Sequence, residues 1–148
     1  MGRQAVAVAL CALVLSGCEF GGSDGSAEFV KQADAICARY ERQISLIPQP
    51  RTFLRDFAVY MRRTVPIARQ QNRELRRLQP PEDDAAEYRR MLALLDEQLD
   101  IAAQAGELAF RGNESAAQAA LQESFGPAGE ASRIAEEIGF FSCARAEG

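Results

Sequence analysis

The sequence predicts an all-α fold, an antiparallel up-down-up-down four-helix bundle with kinked second and fourth helices. Three observations carry that expectation. Apolar residues recur at spacings of three and four along four long segments. No segment alternates with period two, and β-branched residues are few. Proline pairs and a Gly112–Asn113 step punctuate the chain, and the short connections they leave suit antiparallel neighbours.

The first segment runs from about Ala27 to Leu46, with Ser26 as its expected N-cap. Phe29, Ala33, Ile36, Cys37, Tyr40, Ile44 and Ile47 form one stripe, and Pro48 and Pro50 end it. The second runs from about Thr52, a candidate cap, to Leu78. Its stripe is Leu54, Phe57, Ala58, Met61, Val65, Ala68, Leu75 and Leu78. Arginines 55, 62, 63, 69, 73, 76 and 77 fill other positions, densest toward the C-terminal end, where cations complement the helix dipole. Pro66 removes one backbone bond in mid-helix. The stripe keeps its phase across it, so a kink is expected.

Pro80 and Pro81 stop one helix and start the next, and Glu82, Asp83 and Asp84 occupy the expected first turn. The third segment runs from about Glu82 to Phe110 with the stripe Tyr88, Met91, Leu92, Leu95, Leu99, Ala102, Ala103, Gly106 and Phe110. Gly112 is its expected C-terminal stop and Asn113 the next N-cap. The fourth segment runs from about Glu114 to Ile138. Ala117, Ala120, Leu121, Ser124, Ala128, Ala131, Ala135 and Ile138 line one face, with Ile134 beside it. Its small residues allow close packing. Gly126–Pro127 predicts a sharp kink or short break, and Gly139 a stop.

Ahead of the helices lies a targeting pattern. Arg3 is followed by the apolar run "AVAVALCALVL" (5–15), too short for a membrane span of about 20 residues but within the roughly 7–15 of a secretory h-region. Ser16 and Gly17 are small, and Cys18 follows. The tetrapeptide "LSGC" resembles the lipobox of bacterial lipoproteins. That resemblance implies cleavage before Cys18 and a diacylglycerol thioether on it, with an extracytoplasmic, membrane-anchored domain. Two or more acyl chains anchor firmly without a transmembrane helix. The expected organisation is a signal peptide over 1–17, a lipidated flexible tether over 18–26 containing "GGSDGS", and a bundle domain over 27–148.

Of the four cysteines, Cys11 would leave with the signal and Cys18 would carry lipid. Cys37 and Cys143 remain, in a compartment where disulfides persist, and are expected to pair; two buried free thiols are the alternative. In an up-down-up-down bundle the first and fourth helices are neighbours, which brings these two positions together. Loss of residues 1–17 leaves 131 residues, one ordinary domain, and shifts the net charge from −4 to −5 because only Arg3 is lost. That balance argues against nucleic-acid binding.

The chain contains no histidine and no tryptophan. Glu-x-x-His di-iron sites, C-x-x-C-H haem attachment, His-based zinc sites and Ser-His-Asp or Cys-His nucleophiles are therefore excluded, and no phosphate-binding glycine loop occurs. Glu82, Asp83, Asp84 and Glu87 could hold calcium but lack EF-hand spacing, and read better as a charged first turn. Asp96, Glu97 and Asp100, with Arg89 and Arg90, read as a solvated face. The arginine band could meet anionic lipid or a cell-wall polymer, or could pair with the acidic third helix. Kinks at Pro66 and Gly126–Pro127 could open a mid-bundle cavity bordered by Tyr40, Tyr60, Met61 and Phe125, or could curve helices round a full core.

A second resemblance rests on "FVKQADAICARYE" and "IGFFSC". They are similar to small secreted helical proteins of high-GC Gram-positive bacteria, in which a Phe-x-x-x-Ala-Asp-x-x-Cys start accompanies a Gly-x-x-x-Cys end. The matching residues are Phe29, Ala33, Asp34, Cys37, Gly139 and Cys143. The resemblance implies fold and disulfide and no activity. The expected function is a non-enzymatic binding or scaffolding module of the cell envelope. Its partners would be membrane lipid through acylated Cys18 and an envelope protein or wall polymer. No catalytic residue, cofactor or metal is expected. A small-ligand carrier using the mid-bundle cavity is the alternative; an enzyme working through carboxylates is a weaker one.

Overall fold

The computed structural model describes residues 23–144. The expected signal peptide, Cys11 and Cys18 lie outside the described residues, as does the first part of the expected tether. The described residues contain four α-helices: α1 (Ser23–Ser45), α2 (Arg55–Leu75), α3 (Ala85–Phe110) and α4 (Glu114–Ile138), with no strand among them.

Three helix starts differ from expectation, and two expected caps do not form. α1 begins at Ser23, so Ser26 is not its cap and the last part of the expected tether is helical. Donors in a first turn have no intrahelical partner in any case, so a Ser/Gly-rich start loses little there. Thr52 does not cap α2. Instead Asp56, in the first turn, accepts the backbone N–H groups of Arg51 (3.2 Å) and Thr52 (3.1 Å) and fixes the entry from behind. Residues 82–84 form turns closed on Pro81 and Glu82, and α3 starts after them at Ala85. At the next boundary Gly112 takes a left-handed φ of 78° and the Asn113 side chain accepts the Ala116 N–H at 3.3 Å, as expected. Gly139 (φ 93°) ends α4, and the Phe140 N–H closes on the Ala135 carbonyl at 2.8 Å. α2 and α4 each run unbroken through their prolines. The break expected at Gly126–Pro127 is absent; buried Ser124 and Ala128 keep the packed face continuous on both sides of it.

The core has two parts. The larger gathers Phe29, Ala33 and Cys37 of α1, Leu75 of α2, Tyr88, Met91 and Leu92 of α3, Ala131, Ile134 and Ala135 of α4, and Phe140 beyond it. The smaller gathers Phe57 and Ala58 of α2, Ala105 and Ala109 of α3, and Ala117 and Ala120 of α4. α1 supplies no buried residue to this second part. It is built mainly from alanine, so α3 approaches α2 on one side and α4 on the other closely there. Phe110, expected in the buried stripe, is 64% exposed and lies under the Arg62 guanidinium at 4.7 Å; Ala105 and Ala109 take the buried places.

A close approach lies at Gly106, where an added Cβ would fall 2.7 Å from Met61 Cβ. Gly106→Ala is expected to destabilise, because about 1–3 kcal/mol of overpacking outweighs the ~1 kcal/mol gained in helix propensity. Gly129, with nothing within 4 Å, gives the opposite sign: Gly129→Ala should gain up to about 1 kcal/mol. Denaturant titration of the two variants checks this, and a stabilised Gly106→Ala would contradict the close approach.

Candidate functional site

The most densely built place in the molecule is where the end of the chain meets α1. Asp34, half-buried on α1, turns its carboxylate toward the turn after α4. Its Oδ1 accepts the backbone N–H groups of Ser142 (2.7 Å), Phe141 (2.9 Å) and Cys143 (3.4 Å), and Oδ2 also accepts from Phe141 (3.0 Å). These donors point outward once α4 has ended, so one carboxylate satisfies what the helix ladder no longer can. One helical turn on, Cys37 is bonded to Cys143 as a disulfide with Cα atoms 5.1 Å apart across 106 residues of sequence. Ala33, fully buried, lets Cys143 Sγ come within 3.6 Å of its carbonyl oxygen.

Beneath this, Phe29 stands edge-on to Tyr88 (5.0 Å) and against Phe140 (5.4 Å), and Tyr88 and Phe140 also meet edge-on. The Tyr88 hydroxyl donates to the Leu75 carbonyl at 2.8 Å, and burial pushes its pKa well above the usual phenol range. Phe29, Ala33, Asp34, Cys37, Gly139 and Cys143 thus converge on one clasp. The sequence marked these six positions but did not reveal that Asp34 is the anchor for three backbone donors.

A second polar cluster joins α1 to α2. The Tyr40 hydroxyl donates to Glu74 Oε1 at 2.5 Å, Arg39 pairs with the same carboxylate, and Gln70 reaches it at 3.5 Å. The Tyr40 hydrogen bond, then those from Gln70 and Arg39, hold the Glu74 carboxyl below its ordinary range; burial and the Glu74 bond raise the Tyr40 phenol. Between α2 and α3, buried Asn72 donates to the Leu92 carbonyl (3.2 Å) and to Asp96, which also pairs with Arg76. The Asn72 Oδ1 has no partner among the described residues.

The arginine band therefore divides. Arg69 pairs with Asp100 at 2.7 Å, Arg76 with Asp96, and Arg73 bonds Gln70. Asp96 and Asp100 are thus engaged with α2 across the helix pair, in line with the expectation that the arginine band pairs with the acidic third helix. Toward the start of α2, Arg55 and Arg63 make no ion pair with any described residue. Glu87 pairs with Arg90, which also reaches Glu130 of α4; among the described residues no three acidic side chains converge as metal ligands.

The four residues expected to border one cavity are in separate places. Tyr40 is buried against Glu74. Met61 lies with Ala58, Val65, Pro66 and Gly106 in an open groove of about 160 Å³ between α2 and α3. Tyr60 lines a different groove beside the α1–α2 connection, and Phe125 is 63% exposed. No protein family, curated protein or solved structure matches the chain.

Loss of the clasp is expected to be costly. Reduction of Cys37–Cys143 removes a cross-link that the chain-entropy model values at roughly 4–5 kcal/mol for a loop of this length. Asp34→Ala strands three donors, at about 1–3 kcal/mol. Both act on one turn, so the combined loss should be less than the sum in a double-mutant cycle read by thermal melting; full additivity would show that they act independently.

The Glu74 cluster sets a pH dependence of defined sign. Its folded pKa is lowered, so the folded state releases the proton more readily than the unfolded chain. The stabilisation is present above the ordinary carboxylate range and fades as pH falls through the folded value. Tyr40 is the converse: its raised pKa gives stabilisation that is present below the phenol's ordinary value near 10 and fades above it. Glu74→Gln should flatten the acid limb of a stability–pH profile, and an unchanged limb would contradict the assignment.

Proposed function

We propose that the chain is an envelope lipoprotein, anchored on the extracytoplasmic face of a cell membrane through acylated Cys18 and serving as a non-enzymatic binding or scaffolding module. The observation that carries this reading is the disposition of the four cysteines. One lies in the apolar leader, one closes "LSGC", and the remaining two are bonded to each other. A disulfide of long sequence span belongs to an oxidising compartment, and a lipobox cysteine belongs to the same export route. The resemblance to small secreted helical proteins of high-GC Gram-positive bacteria fits the same reading, since its six marker residues form the clasp.

The finer architecture is read as up-down-up-down. Met61 faces Gly106 while Asn72 and Arg76 meet Asp96, and Arg90 of α3 meets Glu130 of α4; each pair has the descending register of antiparallel neighbours. Pro66 and Pro127 are read as kink points within α2 and α4.

A carrier function is the second reading. It is supported by the groove at Met61, Val65 and Pro66, whose 160 Å³ falls short of the roughly 300–1,000 Å³ of ordinary ligand pockets. A catalytic role through carboxylates ranks third, because Asp34, Asp56, Glu74, Asp96 and Asp100 are engaged with arginines, a tyrosine or backbone donors.

Cys18→Ser is expected to release the protein from the membrane fraction or to block removal of residues 1–17, read by fractionation and intact mass. A variant that is still processed and still membrane-bound would remove lipidation as the anchor.

A further inference from the structure

We propose that the cleft between the α1–α2 connection and the first half of α2 binds a phosphate-bearing polymer of the cell envelope. The cleft has a volume of about 290 Å³ and is lined by Arg51, Arg55 and Arg63, with Tyr60 at its wall and the exposed side chain of Val59 between the last two arginines. None of the three arginines is in an ion pair with a described residue, whereas the arginines farther along α2 are taken up by Asp96, Asp100 and Gln70. The cleft's one acidic residue, Asp56, spends its carboxylate on the Arg51 and Thr52 backbone. In a chain of net charge −4, cations held together without counter-ions are a local reversal of sign.

The chemistry selects phosphate. Guanidinium groups offer planar paired donors that match phosphate oxygens, and the Tyr60 hydroxyl, which accepts from Gln49 at 3.3 Å, can donate as well. Arg55 and Arg63 are eight residues apart on one helix face, a rise of about 12 Å. A single phosphate does not span them; a chain of repeated phosphates does, with Val59 against the linker between.

The choice of wall polymer over bilayer rests on the lipoprotein reading. The anchor precedes Ser23 at the start of α1, whereas the cleft begins just past its end, about 33 Å farther along the helix. That position suits a ligand standing off the membrane.

The test uses the full acylated chain in neutral phosphatidylcholine liposomes, with fluorescent poly(glycerol phosphate) as probe and cosedimentation as readout. The polymer should bind, with inorganic phosphate and soluble dihexanoyl phosphatidylglycerol competing only weakly. Arg55→Gln with Arg63→Gln should weaken binding by about tenfold or more, from two lost charge-assisted contacts. Val59→Glu should weaken it similarly by placing a carboxylate between them. Arg73→Gln with Arg77→Gln, the same change in net charge in the last turn of α2 and just beyond its end, should alter it by no more than about twofold. Thermal melting confirms that each variant is folded. Absence of polymer binding, equal losses from the two arginine pairs, or stronger competition by phosphatidylglycerol than by unlabelled polymer would each overturn the proposal. Release of Cys18→Ser is scored separately, so failure of the anchor and failure of the cleft give different results.

Discussion

The fold depends on a tie between the beginning and the end of the helical chain. α1 supplies buried residues to one half of the core, and it is held there by Cys37, Asp34 and Phe29 acting on Cys143, the 141–143 backbone and Phe140. The three contacts differ in kind. The disulfide limits how far the unfolded chain can expand, the carboxylate accepts the backbone donors of the turn beyond α4, and the aromatic cluster removes apolar surface from water. Each makes the others easier to form. Ala33 and Gly139 allow the rest: the first by being small at the point of closest approach, the second by taking the left-handed turn that sends the chain back across α1.

Away from the clasp the molecule is held by small residues and charge. Where α2, α3 and α4 meet, alanine and Gly106 bring backbones together, and little apolar area per residue is buried in return. Polar links run alongside: Arg69 to Asp100, Arg76 and Asn72 to Asp96, Arg90 to Glu130. Most of these ion pairs are half-exposed, so each contributes little to stability and serves more to set which faces meet. The same pairing explains why the two ends of α2 differ. α3 offers Asp96 and Asp100 opposite its C-terminal half, and it offers no such partners to Arg55 and Arg63.

Much of this was legible in the sequence. The four helices, the Asn113 cap, the Gly112 and Gly139 stops and the Cys37–Cys143 bond follow from local chemistry: apolar periodicity, side-chain caps, glycine's access to positive φ, and an even residual cysteine count. The errors fall where local chemistry is silent. Ser26 and Thr52 carry suitable side chains for a cap, but α1 gains its first turn upstream and Asp56 reaches back to the α2 entry from inside the helix. Phe110 keeps the period of its stripe yet stands exposed, because period assigns a face and does not say how close the opposing helices come. Tyr40, Tyr60, Met61 and Phe125 were grouped by level along a bundle, and their side chains leave in different directions.

The sequence by itself determined the helical class, the chain's division into four segments, the exclusion of histidine-dependent chemistry and the expectation of export, since these depend on residue type and spacing along the chain. Only the tertiary structure decided that α1 lends buried residues to one half of the core, that Asp34 is the anchor of the final turn, and which arginines of α2 find partners. Those outcomes depend on distances between residues far apart in sequence, set by how closely the alanine-rich helices pack, and one-dimensional periodicity contains no measure of that distance.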